Sequence, residues 1–154
     1  MTILNSLLTI FLTTITILAT GQSNIDFGQL TNSWTQGRID ADGKVIKAEV
    51  NRGGWYHLNI NTDTTVVFSD PFTCGFGHKR EGKWTMSKSD TTVIFYFDKR
   101  VGYMNSPGTA DIKETEIYKI EKLTVDELIL KKMGQEKTGD ATTLPFLRTD
   151  RTKD

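Results

Sequence analysis

The stretch KWTMSKSDTTVIFYFD, residues 83–98, decides the fold class. Apolar and polar side chains alternate on both sides of Ser89-Asp90, and this period of two is typical of β-strands joined by a tight turn. With Ser89 and Asp90 as the loop, Trp84 faces Phe95 across the hairpin. One face then collects the bulky apolar side chains. The register is well specified, because a slip of one residue would turn all of them to the other face.

The same alternation recurs along most of the chain after residue 30, with turn residues such as Asp42-Gly43 and Asp70-Pro71 between the runs. The glycine-rich segment Phe72–Gly82 is predicted to be a loop. Strands are predicted at residues 34–40, 44–50, 55–60, 65–69, 83–88, 91–98, 113–121 and 127–133.

Eight strands in meander order with mostly short connections predict an all-β fold, an eight-stranded antiparallel up-and-down β-barrel. Closure covers the apolar face of the sheet and removes its edges. A β-sandwich is the alternative, but it usually needs longer crossover connections. The interior of an eight-stranded barrel is either filled by side chains or holds one small ligand.

The chain of 154 residues carries 19 Lys plus Arg and 19 Asp plus Glu, so its formal net charge is zero. A length in this range is typical of one domain. A balanced charge provides no extended positive field, so we expect no nucleic-acid partner.

The first 21 residues contain no charge and form an apolar run that ends in Ala19-Thr20-Gly21. This pattern predicts a signal peptide at residues 1–21, and an uncleaved membrane anchor is the alternative. We therefore expect an exported protein, periplasmic or secreted, without stable membrane insertion after cleavage. The barrel domain is predicted at residues 22–137 and a flexible C-terminal tail at residues 138–154.

Residues that could carry metal or nucleophilic chemistry are few. Cys74 is the single cysteine, so it is either buried or free to pair with another molecule. Cys74 and His78 have a Cys-x3-His spacing, but a structural zinc site needs four ligands and the other histidine, His57, is distant in sequence. We expect no metal, no cofactor and no catalytic site.

Two hairpins resemble those of exported bacterial lipocalin-like domain proteins. The first is Gly82–Met86 followed by Val93–Phe97, and the second is Tyr118–Thr124 followed by Glu127–Leu130. Trp34 stands where the first-strand tryptophan of that group lies, although Asn32-Ser33 precede it in place of the Gly-x of true lipocalins. The resemblance covers about residues 30–133 and implies a fold more than an activity, because most members of this group have no assigned function.

Aromatic and aliphatic side chains on one face of these strands are expected to line the barrel interior. They predict a non-enzymatic protein that binds a small hydrophobic or amphipathic ligand. An ordinary packed core is the alternative interpretation. The candidate ligand-binding residues are Tyr56, Leu58, Trp84, Met86, Phe95 and Phe97.

Charged side chains offer two further hypotheses. Glu114 and Glu116 share a face, and we expect them in water at the barrel rim, because a glutamate is almost never fully buried without a partner. The alternative is a pair of inward carboxylates that orient a polar ligand group or act as acid and base. Arg52, Arg80 and Arg100 lie at predicted strand ends and are expected to be solvated loop charges; bidentate binding of an anionic head group by one of them is the alternative. The alternative function is an extracytoplasmic interaction module with a filled core, which would engage a protein partner through the loop Phe72–Gly82.

Overall fold

The computed structural model describes residues 26–48, 55–70, 76–104, 107–134 and 143–151. Short 3-10 helices lie at Phe27–Leu30 and Thr149–Arg151. Within these ranges, neither helix has the length or the apolar content that a membrane crossing needs. The strands are β1 (Ser33–Ile39), β2 (Val45–Lys47), β3 (His57–Ile60), β4 (Thr65–Ser69), β5 (Phe76–Ser87), β6 (Thr92–Met104), β7 (Gly108–Leu123), β8 (Glu127–Lys132) and β9 (Thr143–Arg148).

Eight of these strands close into one antiparallel ring. In the order β1, β3, β4, β5, β6, β7, β8, β9 each strand pairs with the next, and β9 pairs back onto β1, where Trp34 faces Arg148. β2 pairs with the second half of β1, at residues 37–39, beyond the part of β1 that completes the ring. The predicted all-β fold, an eight-stranded antiparallel up-and-down barrel, is confirmed.

The eighth strand of the ring is not the predicted one. The sequence predicts a ring strand at residues 44–50, whereas the structure has the short β2 there, with residues 49–54 outside the described ranges. The ring is completed by β9, which pairs with both β8 and β1. The flexible tail predicted at 138–154 is therefore wrong over Thr143–Arg148. The apolar run Leu144–Leu147 is short and contains Pro145, so its contacts with distant strands stabilise it more than its local pattern does.

The loop predicted at Phe72–Gly82 is wrong over its second part, because β5 already begins at Phe76. Gly82 does not end the strand. It lies at a β-bulge, where the pairing with β6 shifts register between Glu81 and Gly82. A Cβ atom at this position would lie 1.9 Å from the carbonyl oxygen of Tyr96. Glycine therefore permits a close approach of two strands here rather than a turn.

The hairpin at residues 83–98 has the predicted register, with Trp84 opposite Phe95 and Met86 opposite Val93. Residues 88–91 form its turn, in which Thr91 takes the left-handed φ of 56°. Bulky side chains of both strands consequently project into the barrel, and the most buried of them, Phe95, has no exposed surface.

One end of the barrel contains a packed apolar core. The 3-10 helix Phe27–Leu30 packs there, with Leu30 fully buried and its carbonyl oxygen accepting a hydrogen bond of 3.1 Å from Trp34 Nε1. We call this the plug end; the turns at 61–64, 88–91 and 124–126 share it. Side chains that have at most 1% of their surface exposed include Trp34, Leu58, Ile60, Val66, Val93, Phe95, Leu128, Leu130 and Phe146.

Replacing Gly82 by alanine is expected to destabilise the barrel, because the added methyl group would overlap the backbone of Tyr96. Overpacking of this kind costs about 1–3 kcal/mol. Urea denaturation followed by circular dichroism should show a lower midpoint with an unchanged slope. Thr85→Ala, on the exposed face of the same strand, is the control and should change the free energy of unfolding by less than about 1 kcal/mol. Equal stability of Gly82→Ala and the wild type would contradict the close strand approach.

Substitution of Phe146 by alanine tests whether β9 completes the ring in solution. Phe146 is fully buried and its ring meets that of Phe68 edge-on, with centroids 6.4 Å apart. Truncating such a side chain costs about 3–5 kcal/mol of unfolding free energy. Leu147→Ala, on the opposite and partly exposed face, should cost clearly less. Equal losses at the two positions in denaturant titrations would show that the stretch is not part of the closed barrel.

Candidate functional site

The barrel end opposite the plug end has a different interior chemistry. β4, β6 and β8 finish there and β5, β7 and β9 begin there. The segments 71–75, 105–106 and 135–142 that join these strands lie outside the described residues. We call this the far end, and the charged side chains described next lie between it and the apolar core.

Arg80 projects into the barrel from β5. It pairs with Phe68 of β4, and side chains opposite each other on paired strands point to the same face. Its guanidinium carbon lies 5.0 Å from the centroid of the Phe68 ring and 4.6 Å from that of Phe97. The side chain is 12% exposed. Contact with two aromatic faces offsets part of the hydration that this buried cation loses.

Two glutamates of β7 meet Arg80 inside the barrel. Glu114 lies opposite Phe97 and Glu116 opposite Phe95, so both carboxylates share the inner face with these rings. Arg80 Nη1 lies 3.3 Å from Glu114 Oε2 and 3.2 Å from Glu116 Oε1. Its charge is thus shared between two carboxylates, as a buried ion requires.

Each glutamate also has a second cationic partner. Arg100 Nη2 donates to Glu114 Oε1 at 2.5 Å, and Lys132 Nζ donates to Glu116 Oε1 at 2.6 Å. The hydroxyl of Tyr118 donates to Glu116 Oε2 at 2.9 Å. We call the five charged residues the charged layer: Arg80, Arg100, Glu114, Glu116 and Lys132.

These contacts set the protonation of the buried groups. Burial alone raises the pKa of Glu116, but the hydrogen bond from Lys132, the charge of Arg80 and the hydrogen bond from Tyr118 outweigh it, so the pKa lies below its ordinary value. Burial and the Glu116 carboxylate raise the pKa of Tyr118 far above its ordinary value. At neutral pH Glu116 is therefore a carboxylate and Tyr118 a hydroxyl donor.

The charged layer has more donors than acceptors. Every carboxylate oxygen of Glu114 and Glu116 already contacts a cation or the Tyr118 hydroxyl. Arg80 Nε, in contrast, is buried and has no hydrogen-bond acceptor within the described part of the chain. Exposure increases outward, from 12% for Arg80 to 25% for Lys132 and 43% for Arg100. The layer can therefore donate hydrogen bonds to a further acceptor group that enters from the far end.

The six predicted ligand-binding residues all belong to the apolar core of the barrel or pack against it. Leu58, Phe95 and Phe97 are at most 2% exposed and belong to the core itself. The other three are partly buried. Tyr56 lies toward the far end, with its ring 5.6 Å from that of Phe68. Trp84 and Met86 lie at the plug end, where Trp84 Nε1 donates to the carbonyl of Asn61.

The predictions for the charged residues are wrong for three of them. Glu116, expected at the rim, is 12% exposed, and Glu114, at 35%, is held by two arginines. Arg80, expected in a loop, is a buried strand residue. Arg100 is half-exposed but lies on β6, and Arg52 lies outside the described residues.

The sequence contained an unused signal for this site. Along β5 the inner face continues by unbroken alternation from Met86 and Trp84 through Gly82 to Arg80, because the extra residue of the bulge, Asp98, lies on β6. Along β8 the alternation of Leu128 and Leu130 continues to Lys132. Extending the period of two beyond the apolar residues would have placed both cations inside the barrel.

A concavity lies on the outer surface, where β6 and β7 shift register between Phe97 and Lys99. It is an open cleft of about 290 Å³. Tyr96, which is 45% exposed, forms one wall. The cleft is lined by Lys83, Tyr96, Phe97, Asp98, Ile112, Lys113, Glu114 and Thr115.

Within the described ranges, no three or more His, Cys, Asp or Glu side chains are placed to hold a metal ion. His78, predicted in a loop, lies on β5 and its Nε2 is 2.5 Å from Asp70 Oδ2. Cys74 lies outside the described residues, so its burial or pairing stays a prediction.

Comparison of the chain with protein-family models, curated protein sequences and solved structures finds no match in any of the three. The resemblance to bacterial lipocalin-like proteins consequently rests on the hairpin residues quoted above.

Replacing Glu116 by glutamine tests the charged layer. At neutral pH the change should lower the unfolding free energy by about 3 kcal/mol, because Arg80 and Lys132 lose a buried counter-charge. The pKa of Glu116 is lowered in the folded state, so its stabilising contribution is complete above its ordinary pKa of 4.5 and disappears as the pH falls below that value. The difference between variant and wild type should therefore shrink in denaturant titrations from pH 7 to pH 3.

Glu121→Gln, an exposed position on the same strand, is the matched control and should leave stability nearly unchanged at every pH. A Glu116→Gln difference that stays constant down to pH 3 would contradict an ionised Glu116.

Proposed function

We propose that the protein is a non-enzymatic carrier or receptor that binds one small amphipathic molecule in its barrel, with entry from the far end. One observation carries this proposal. The interior changes along the barrel axis from the sealed apolar core around Trp34 to the charged layer around Arg80. An interior with that polarity gradient is complementary to a molecule with an apolar portion and a polar head.

Aromatic side chains between the two regions provide the apolar contact. The ring centroids of Tyr56 and Phe68 lie 5.6 Å apart, and the Arg80 guanidinium lies over the Phe68 ring. Tyr56 is only partly buried, so its ring can contribute surface to a ligand. Leu58, Phe95 and Phe97 are then core residues that pack behind this site. Of the six candidates, Tyr56 is then the residue in direct contact with the ligand.

The sealed core favours a second candidate function, a filled barrel that acts through its outer surface. Leu58 and Phe95 have no exposed surface, as expected if the interior is complete without a ligand. A protein partner would then meet the outside of the barrel. The loop first considered for such contact, Phe72–Gly82, is largely β5, so its outward side chains would form the surface instead.

We also propose that the protein works outside the cytoplasm, in the periplasm or after secretion. The support is the uncharged segment at residues 1–21, followed by a barrel chain that contains all of the charged residues. In this proposal the segment is removed and the barrel is not inserted in a membrane afterwards.

A neutral fluorescent probe, N-phenyl-1-naphthylamine, tests the binding function with protein purified from an exporting bacterial host. We expect saturable enhancement of fluorescence at one site per chain and displacement by dodecanoate. Tyr56→Ala should weaken probe binding about tenfold, because one aromatic wall is lost.

Tyr96→Ala provides the matched control, since Tyr96 lies on the outer cleft. Its probe affinity should equal that of the wild type. Absence of saturable binding, with circular dichroism showing a folded barrel, would reject the ligand function and favour the filled barrel. A loss of probe affinity that is confined to Tyr96→Ala would instead place the binding site in the outer cleft.

A further inference from the structure

We infer that the head group of the bound molecule is an anion, a carboxylate or a phosphate monoester, and that it binds in the charged layer beside Arg80, Arg100 and Lys132. The inference rests on the proposed function and specifies the chemical class of its ligand. Its basis is the set of donor and acceptor atoms in the layer that already have a hydrogen-bond partner.

The donors of the layer are incompletely used. Arg80 places Nη1 against both glutamates, while its Nε–H is buried without an acceptor in the described residues. The Lys132 ammonium group has three N–H donors, and Glu116 accepts one of them. An unpartnered buried donor is costly, so a ligand that brings acceptor atoms gains at this position.

The acceptors, in contrast, are occupied. Glu114 faces Arg80 and Arg100, and Glu116 faces Arg80, Lys132 and the Tyr118 hydroxyl. A cationic head group would therefore approach three cations and find both carboxylates engaged. A hydroxyl group could accept one hydrogen bond but would bring no charge.

Asp70 is the other acidic group that acts on Arg80, and it is held by His78 at 2.5 Å. Arg80 Nε has no hydrogen-bond acceptor in the described residues, so Asp70 acts on Arg80 through its charge and not as the acceptor of Nε. The half-exposed Arg100 and the 25% exposed Lys132 are the cations that an entering anion meets first. Arg80, over the Phe68 and Phe97 rings, lies deeper, at the boundary with the apolar core.

Four molecules with the same twelve-carbon chain test the inference by displacement of N-phenyl-1-naphthylamine: dodecanoate, dodecyl phosphate, dodecanol and dodecyltrimethylammonium. We expect dodecanoate or dodecyl phosphate to bind at least about tenfold more tightly than dodecanol, since a charge-assisted hydrogen bond is replaced by a neutral one. The cation should bind most weakly. The ratio of dodecanoate to dodecyl phosphate affinity distinguishes the two anion classes.

Neighbouring lysines supply a matched pair of variants. Lys132→Gln removes an inner cation, whereas Lys131→Gln changes the exposed residue beside it on the opposite face. Lys132→Gln should reduce dodecanoate affinity about tenfold and leave dodecanol affinity unchanged, and Lys131→Gln should change neither. Arg100→Gln, at the more exposed position, gives the same comparison if Lys132→Gln fails to fold.

The outcomes separate the two proposals. Equal affinity for dodecanoate and dodecanol, or tighter binding of dodecyltrimethylammonium, would overturn the anion inference while leaving ligand binding intact. Equal effects of Lys132→Gln and Lys131→Gln would overturn the assignment to the charged layer. If the neutral reporter itself does not bind, both proposals fall together.

Discussion

The contact of Arg80 with Glu116 is the interaction on which the chemistry of this barrel depends. A guanidinium and a carboxylate in a protein interior each lose hydration worth several kcal/mol, and the loss is offset only when both are well paired. Here the pairing reaches across β6: Arg80 lies opposite Arg100, while Glu116 lies opposite Phe95. The Arg80 side chain spans this offset by lying over the Phe97 ring.

Two irregularities in the sheet make that geometry available. The register shifts at Gly82 between β5 and β6, and again after Phe97 between β6 and β7. Bulges bend strands and redirect side chains. The first inserts Asp98 into β6, so that Arg100 as well as Phe97 lies opposite an inward residue of β5, and the second lies next to Glu114. The long strands β5, β6 and β7 therefore carry both the curvature of the barrel and most of its charged layer.

The two ends of the barrel differ in polarity, because one is closed by apolar side chains and the other contains the charged layer. Leu30 and Trp34 are buried at the plug end, and the charged layer lies toward the far end, with Arg100 as its most exposed cation. A protein core of ordinary composition would have continued the apolar residues through the whole barrel. A buried charged network is a poor source of stability, so its presence is better explained by specificity, either for the register of the strands or for a ligand.

Much of the fold was predictable from the sequence, because a period of two and short turns are local signals. The hairpin register of Trp84 and Phe95 follows directly from the loop Ser89-Asp90. β9 was not predictable in this way, since Pro145 interrupts a short run and its partners lie on β8 and β1. The site was missed for a related reason. Arg80 looks like a loop residue among glycines until the pairing with β4 is known.

The most direct measurement is a crystal structure of the protein grown with dodecanoate. We expect the alkyl chain against Tyr56 and Phe68, with the carboxylate about 2.7–2.9 Å from nitrogen atoms of Arg80, Arg100 or Lys132. An unliganded barrel with its charged layer unchanged, or dodecanoate in the outer cleft beside Tyr96, would contradict it.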